Sequence, residues 1–243
     1  MKGLILVLIV ISLVIDAKAQ WAIPPNMRAQ NTLNRLSEPI RGMSSADLLY
    51  GIPMEPGIVI GDNYLDKKWN TATILLYQSE TMIEGYPVKY DVKNDLLEIQ
   101  SRSGIKVLEV KKIKNLVWVD SITTQPHYFV NGAEYRYENS KLLGLLEVIV
   151  DGDTPLLKRS ELNTKKPTYN AALDVGSKDT KIYFKDVFLY ARGKDLYMIK
   201  NKEDVLKASG DHSAEVAAFI KENKINTNKQ PGLKQVFEYL NKM

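Results

Sequence analysis

The sequence predicts a mainly β protein: an antiparallel meander forming a sandwich or a curved half-barrel, with a small C-terminal α-helical segment. Three observations carry this. Short runs rich in Val, Ile, Tyr and Phe recur between residues 51 and 200, a composition suited to pleated, half-buried surfaces. Turn residues punctuate the runs, among them Asn131-Gly132, Asp151-Gly152 and Arg192-Gly193-Lys194, and such dipeptides favour hairpin turns that need positive φ. No helical crossover separates the runs, so neighbours joined by tight turns must be antiparallel.

The elements follow in order. Residues 1–19 have the pattern of a cleavable signal peptide: Met1-Lys2, an apolar run from Gly3 to Ile15, then Asp16-Ala17-Lys18-Ala19. The apolar run falls short of the roughly 20 residues a membrane-spanning helix needs. No later run is longer, so no transmembrane span is expected after cleavage. Residues 20–50 read as a polar arm, with Pro24-Pro25 blocking regular structure and a short helix conceivable over 27–36.

Within the β domain, 51–200, Tyr86–Val92 gives the cleanest period-2 alternation, with Tyr86, Val88, Tyr90 and Val92 on one face. Pro87 argues for an edge position or a strand start there. Glu134–Tyr137 reads as a strand. Leu142–Val150 is apolar on both faces apart from Gly144 and Glu147, the pattern of a central strand covered on both sides. Loose hairpin units are expected over 86–99, 145–158 and 183–199. From residue 201 to 243 the period changes to that of helices packing on the β domain. Asn201 caps a helix over 202–208 that ends at Gly210, Asp211 or Ser213 caps 214–223, and Pro231 opens a last helix over 231–242.

Composition excludes several chemistries. Cysteine is absent and there are two histidines, so disulfides, thiolate metal sites and cysteine nucleophiles are out, and a zinc site is a poor prospect. A formal charge of +4 is too small to argue for nucleic acid. Ser103-x-x-Lys106 matches a Ser-x-x-Lys nucleophile motif, yet it straddles a hairpin turn where that chemistry needs a helical turn. His127 has no carboxylate neighbour in sequence to position it as a general base, and His212 reads as part of a helix cap. Asp151-Gly152-Asp153 and Asp91-x-x-Asn94-Asp95 carry oxygen ligands, but they are standard turn residues and lack the rest of a calcium loop. The reading therefore assigns no catalytic residue, no cofactor and no metal.

Two sets of residues suit a partner or ligand surface. Lys111, Lys112 and Lys114 form a basic cluster that would touch an anionic lipid or polysaccharide, or guard a strand edge. Tyr128, Tyr135 and Tyr137 either form a sugar- or partner-binding face, because a tyrosine ring supplies contact area and a polar tip together, or are ordinary strand residues.

Gly61-Asp62-Asn63-Tyr64-Leu65, Trp69, the strand 72–77, then Gly85-Tyr86-Pro87-Val88-Lys89-Tyr90-Asp91-Val92 and Glu98 resemble a family of secreted envelope proteins of Bacteroidetes-type bacteria. The tyrosine-rich hairpin at 183–199 and the Phe-Ile-Lys-x-Asn-Lys string at 219–224 are similar to the ends of the same proteins. Lys89 and Asp91 depart from the Arg and Asn of that pattern. The resemblance implies export and a mainly β fold, and carries no activity, cofactor or site residue.

The expected destination is the periplasm or the outer-membrane surface. Three functions are compatible with it: a non-catalytic binding or scaffolding module that contacts another envelope protein, a carrier of lipid or another apolar ligand in a curved sheet, or a hydrolase acting on glycan or peptide.

Overall fold

Among the described residues, period-2 patterning builds a single open sheet of thirteen strands. The computed structural model describes Gln30 and residues 57–78, 82–170 and 173–243. The signal peptide, the arm and the helix over 27–36 lie outside the described residues, Gln30 apart. The strands are β1 (Val59–Ile60), β2 (Asn70–Leu76), β3 (Met82–Asp91), β4 (Leu96–Ser101), β5 (Gly104–Glu109), β6 (Ile113–Val119), β7 (Pro126–Asn131), β8 (Arg136–Tyr137), β9 (Ser140–Lys141), β10 (Leu145–Val150), β11 (Leu156–Lys165), β12 (Thr180–Arg192) and β13 (Asp195–Ile199). Helices α1 (Lys202–Ser209), α2 (Ser213–Glu222) and α3 (Gln230–Leu240) complete the chain.

The sheet order is β5-β4-β3-β2-β6-β7-β10-β11-β12-β13-β8-β9, with β1 beside β12. The ladders are antiparallel, as expected, except for two short parallel contacts, β1 with β12 and β8 with β13. The hairpins expected over 86–99, 145–158 and 183–199 are β3–β4, β10–β11 and β12–β13.

The sheet curls. The Tyr90 hydroxyl on β3 accepts from the Leu145 amide on β10 at 3.4 Å, although β2, β6 and β7 lie between them in the order. In a flat sheet that separation would be about 19 Å, at about 4.8 Å per neighbour. The half-barrel reading describes this curvature, and the two ends of the order stay unjoined. The hollow is filled by Ala72, Ile74, Val88, Tyr90, Leu97, Leu116, Trp118, Phe129 and Leu145. A second cluster joins Val150, Leu156 and Tyr190 to Val205, Val216, Val236 and Phe237 of the helices. A third, on the opposite face of β10–β13, holds Leu142, Leu146, Leu157, Leu189 and Leu196. β10 is thus covered on both faces, as its sequence predicts.

Local rules succeed or fail for visible reasons. Asn201 caps α1 by accepting from the Asp204 amide, and Gly210 ends it at φ +55°. α2 has no side-chain cap from Asp211 or Ser213, because a 3₁₀ turn, Gly210–His212, runs straight into it. Pro87 falls where β3 has not yet gained β4, whose pairing begins at Val88, so the strand is locally an edge and tolerates a missing N–H. Glu134–Tyr137 is not one strand: Gly132–Glu134 is a 3₁₀ turn set by Asn131, whose side chain accepts from the Ala133 amide, and only Arg136–Tyr137 pairs. β11 runs on to Lys165, well past the apolar stretch, because β12 offers an unbroken antiparallel partner out to Lys181.

Candidate functional site

The site lies at the margin of this packed interior, where three neighbouring strands bring their side chains to one face. Glu147 on β10 pairs directly with Phe129 of β7 on one side and Lys158 of β11 on the other. His127, two residues before Phe129, shares that face and reaches Glu147 on the diagonal. His127 Nδ1 lies 2.6 Å from Glu147 Oε1, and Lys158 Nζ donates to Glu147 Oε2 at 2.5 Å. Glu147 is only 8% exposed. A carboxylate only accepts, so the contact with Glu147 puts a proton on Nδ1; Nε2 is an acceptor in the neutral ring and a second donor in the protonated one.

The group sits at a seam between two apolar clusters. Phe129 and Leu145 belong to the filled hollow, and Leu156, two residues before Lys158, belongs to the helix-covered cluster. One register further along β11, the Ser160 hydroxyl donates to Asp186 Oδ1 of β12 at 2.7 Å.

A strap closes over this floor. Gly57 to Trp69 starts beside β12, where the Thr180 amide donates to the Ile58 carbonyl, and ends beside β3. Gly61, at φ +99°, passes so close that a Cβ there would meet the Ile182 carbonyl oxygen at 2.2 Å; only glycine fits this crossing. Further on, the Leu65 amide donates to the Tyr90 carbonyl at 2.9 Å and the Val92 amide to the Asn63 carbonyl at 3.0 Å. Tyr64 and Trp69 hold Lys89 against their rings, at 5.3 and 5.0 Å from the centroids. Leu65 lines two hollows that share Leu65, Phe129, Glu147, Lys158 and Ser160. The larger, about 520 Å³, extends past Tyr90, Asp95 and Arg159. The smaller, about 300 Å³, adds Trp118, Asp120, His127 and Asp186.

The rim is tuned by its own contacts. Burial, then the charge of Asp95, push the Tyr90 hydroxyl far above the ordinary tyrosine range, so it is a neutral donor, and it donates to Asp95 at 2.8 Å. Hydrogen bonds from the Thr123 and Ile122 amides lower the Asp120 carboxyl to about 2. Among the described residues no group of three or more His, Asp or Glu side chains is arranged to hold a metal ion, and no helix is long and apolar enough to cross a membrane.

The six surface residues picked from sequence lie elsewhere, and none lines the hollows under Leu65. Lys111 and Lys112 occupy a 3₁₀ turn after β5 and both pair with Glu109, at 2.9 and 3.7 Å. Lys114 has no ladder partner on β2, because Asn115 pairs with Leu75 and Ile113 with Leu76. Tyr135 and Tyr137 pack against the third cluster, and Tyr128 is exposed on β7. The neighbour that His127 lacks in sequence is supplied by the fold, since Glu147 stands twenty residues away. One signal pointed to it: Glu147 is the single charge in the apolar run of β10.

No family model, no curated protein and no solved structure matches the chain.

Proposed function

We propose that this protein is an exported, non-catalytic binding module of the cell envelope, and that the hollow under Leu65 takes a polar ligand of glycan type. Export rests on the N-terminal leader pattern and on the resemblance of residues 61–98 to secreted envelope proteins. One observation carries the ligand reading: Glu147, nearly buried, is held between His127 and Lys158 at the floor of an open hollow. A well-packed apolar pair would serve folding as well or better, so the polar group is best explained by what it binds. The volume suits a ligand of one or two sugar rings. Glu147, Asp186 and Lys158 supply hydroxyl partners, while Trp118 and Phe129, 4% and 3% exposed, add little ring surface of their own. Those charged groups count against a lipid cargo, which needs a dry apolar lining.

A second reading, a hydrolase acting on glycan or peptide, draws on one feature. Glu147 holds His127 through Nδ1, and Asp186 lines the same hollow; a neutral ring held this way has the carboxylate–imidazole arrangement of a general base. Calorimetric titration with soluble muropeptides and, separately, dodecanoic acid tests both readings. Binding of muropeptides without cleavage, abolished in Glu147→Gln, supports the module. Binding of dodecanoic acid alone, or of neither, overturns it. Cleavage seen by mass spectrometry and lost in His127→Ala replaces it with the hydrolase.

A further inference from the structure

We infer a second, independent interaction surface: the free edge of β5, built to receive an extended, acidic segment of another protein as an added strand. Among the described residues β5 ends the sheet order, with β4 as its one ladder partner. The hairpin closes with Ser101 opposite Gly104 around the two-residue turn Arg102–Ser103. Hydrogen-bonded pairs therefore alternate through Gly104, Lys106 and Leu108, and the N–H and C=O groups of Ile105, Val107 and Glu109 point outward. β5 contains no proline and its register with β4 runs without a bulge, so what guards this edge is charge, carried by Lys106 and Glu109. Ile105 and Val107, each 59% exposed, share one face beside those free groups.

Charge selects the occupant. From Ser101 to Lys112 the chain carries Arg102, Lys106, Lys111 and Lys112 against Glu109 alone. Glu109 is already engaged by Lys111 and Lys112, while Arg102 and Lys106 form no ion pair among the described residues. A second copy paired across its own β5 would bring two such cationic sets together, and like charges across a strand pair destabilise it. A strand alternating apolar and acidic residues fits instead. Its apolar side chains extend the Ile105–Val107 face, its carboxylates meet Lys106 on the other face, and its backbone completes the ladder.

The test uses the intact protein and three fluorescent octapeptides, alternating valine with glutamate, threonine or lysine. The valine–glutamate peptide is expected to bind at least tenfold more tightly than the valine–lysine one. Its binding should slow amide exchange at Ile105, Val107 and Glu109. Val107→Pro, which deletes an outward N–H that β4 does not use, and Lys106→Glu, which changes one exposed charge, should each weaken it at least fivefold. Glu147→Gln should leave it unchanged. Equal affinity for the three peptides, no binding, or protection that appears around Glu147 would overturn the inference. So would protection of those three amides before any peptide is added, because a second copy or the chain's own residues would then occupy the edge.

Discussion

The Tyr90 hydroxyl and the Leu145 amide meet at 3.4 Å across the hollow, although their strands stand four places apart in the sheet. Tyr90 is 3% exposed and also donates to Asp95. Gly144 leaves room for this contact: at its φ of +91° a Cβ would lie 3.1 Å from the hydroxyl. Tyr90→Phe keeps the ring and deletes both hydrogen bonds, leaving a buried amide without that partner. The expected loss is about 1–3 kcal/mol, read as a lower urea midpoint with an unchanged denaturant slope. A midpoint equal to that of the unaltered protein would show that the curl does not depend on this contact.

Glu147 makes a sharper forecast, because removing one member of a buried charge pair is worse than removing both. Glu147→Leu leaves Lys158, whose side chain is 16% exposed, without its carboxylate. Destabilisation of about 3 kcal/mol is expected for the single variant, and recovery of most of it in Glu147→Leu/Lys158→Met. Chemical denaturation of both variants decides it. A double variant no more stable than the single one would mean that the carboxylate serves the fold rather than a ligand, and would weaken the proposed function.

How far the sequence could foresee this molecule follows from the range of each interaction. The alternation of Tyr86–Val92, the Asn201 cap and the Arg192–Asp195 hairpin depend on residues a few positions apart, and each is legible without a structure. The antiparallel, mainly β architecture follows from many such local signals. His127, Glu147 and Lys158 come together only through the registers of β7 with β10 and β10 with β11. A shift of one residue in either ladder would turn Glu147 or its partner to the other face. The curl of the sheet, the crossing of the strap at Gly61 and the free edge of β5 likewise depend on which strands become neighbours. Pairing of β6 with β2, after the excursion through β3, β4 and β5, is a choice that hydrophobic patterning alone does not specify.

Asp120 gives a pH dependence of known sign. Its carboxyl is lowered from 3.8 to about 2, first by the Thr123 amide and then by the Ile122 amide, at 2.6 and 2.8 Å. A group lowered in the folded state stabilises it above the unfolded pKa and loses that contribution as pH falls through the folded value. The contribution is thus complete above about pH 4 and fades toward pH 2. Asp120→Asn keeps an acceptor for the turn but has no proton to bind. Its stability should vary less between pH 4 and pH 2, measured as thermal midpoints in buffers of matched ionic strength. Parallel curves for the two proteins in that window would contradict the assignment.

The helices should come away before the hollow does. Phe237 on α3 is fully buried, and its ring centroid lies 6.5 Å from that of Tyr190 on β12. Its cluster gathers α1, α2 and α3 around Val150 and Leu156, whereas the hollow is filled by a separate set of residues centred on Ile74, Leu116 and Phe129. Phe237→Ala removes a large side chain from the first set alone, a change expected to destabilise by about 3–5 kcal/mol. Because the two sets do not share residues, the loss should fall unevenly. Amide exchange should quicken most in α2, α3 and the start of β11, and least in β2 and β6. Uniform acceleration across all of them would show instead that the helices and the curved sheet unfold as one cooperative unit.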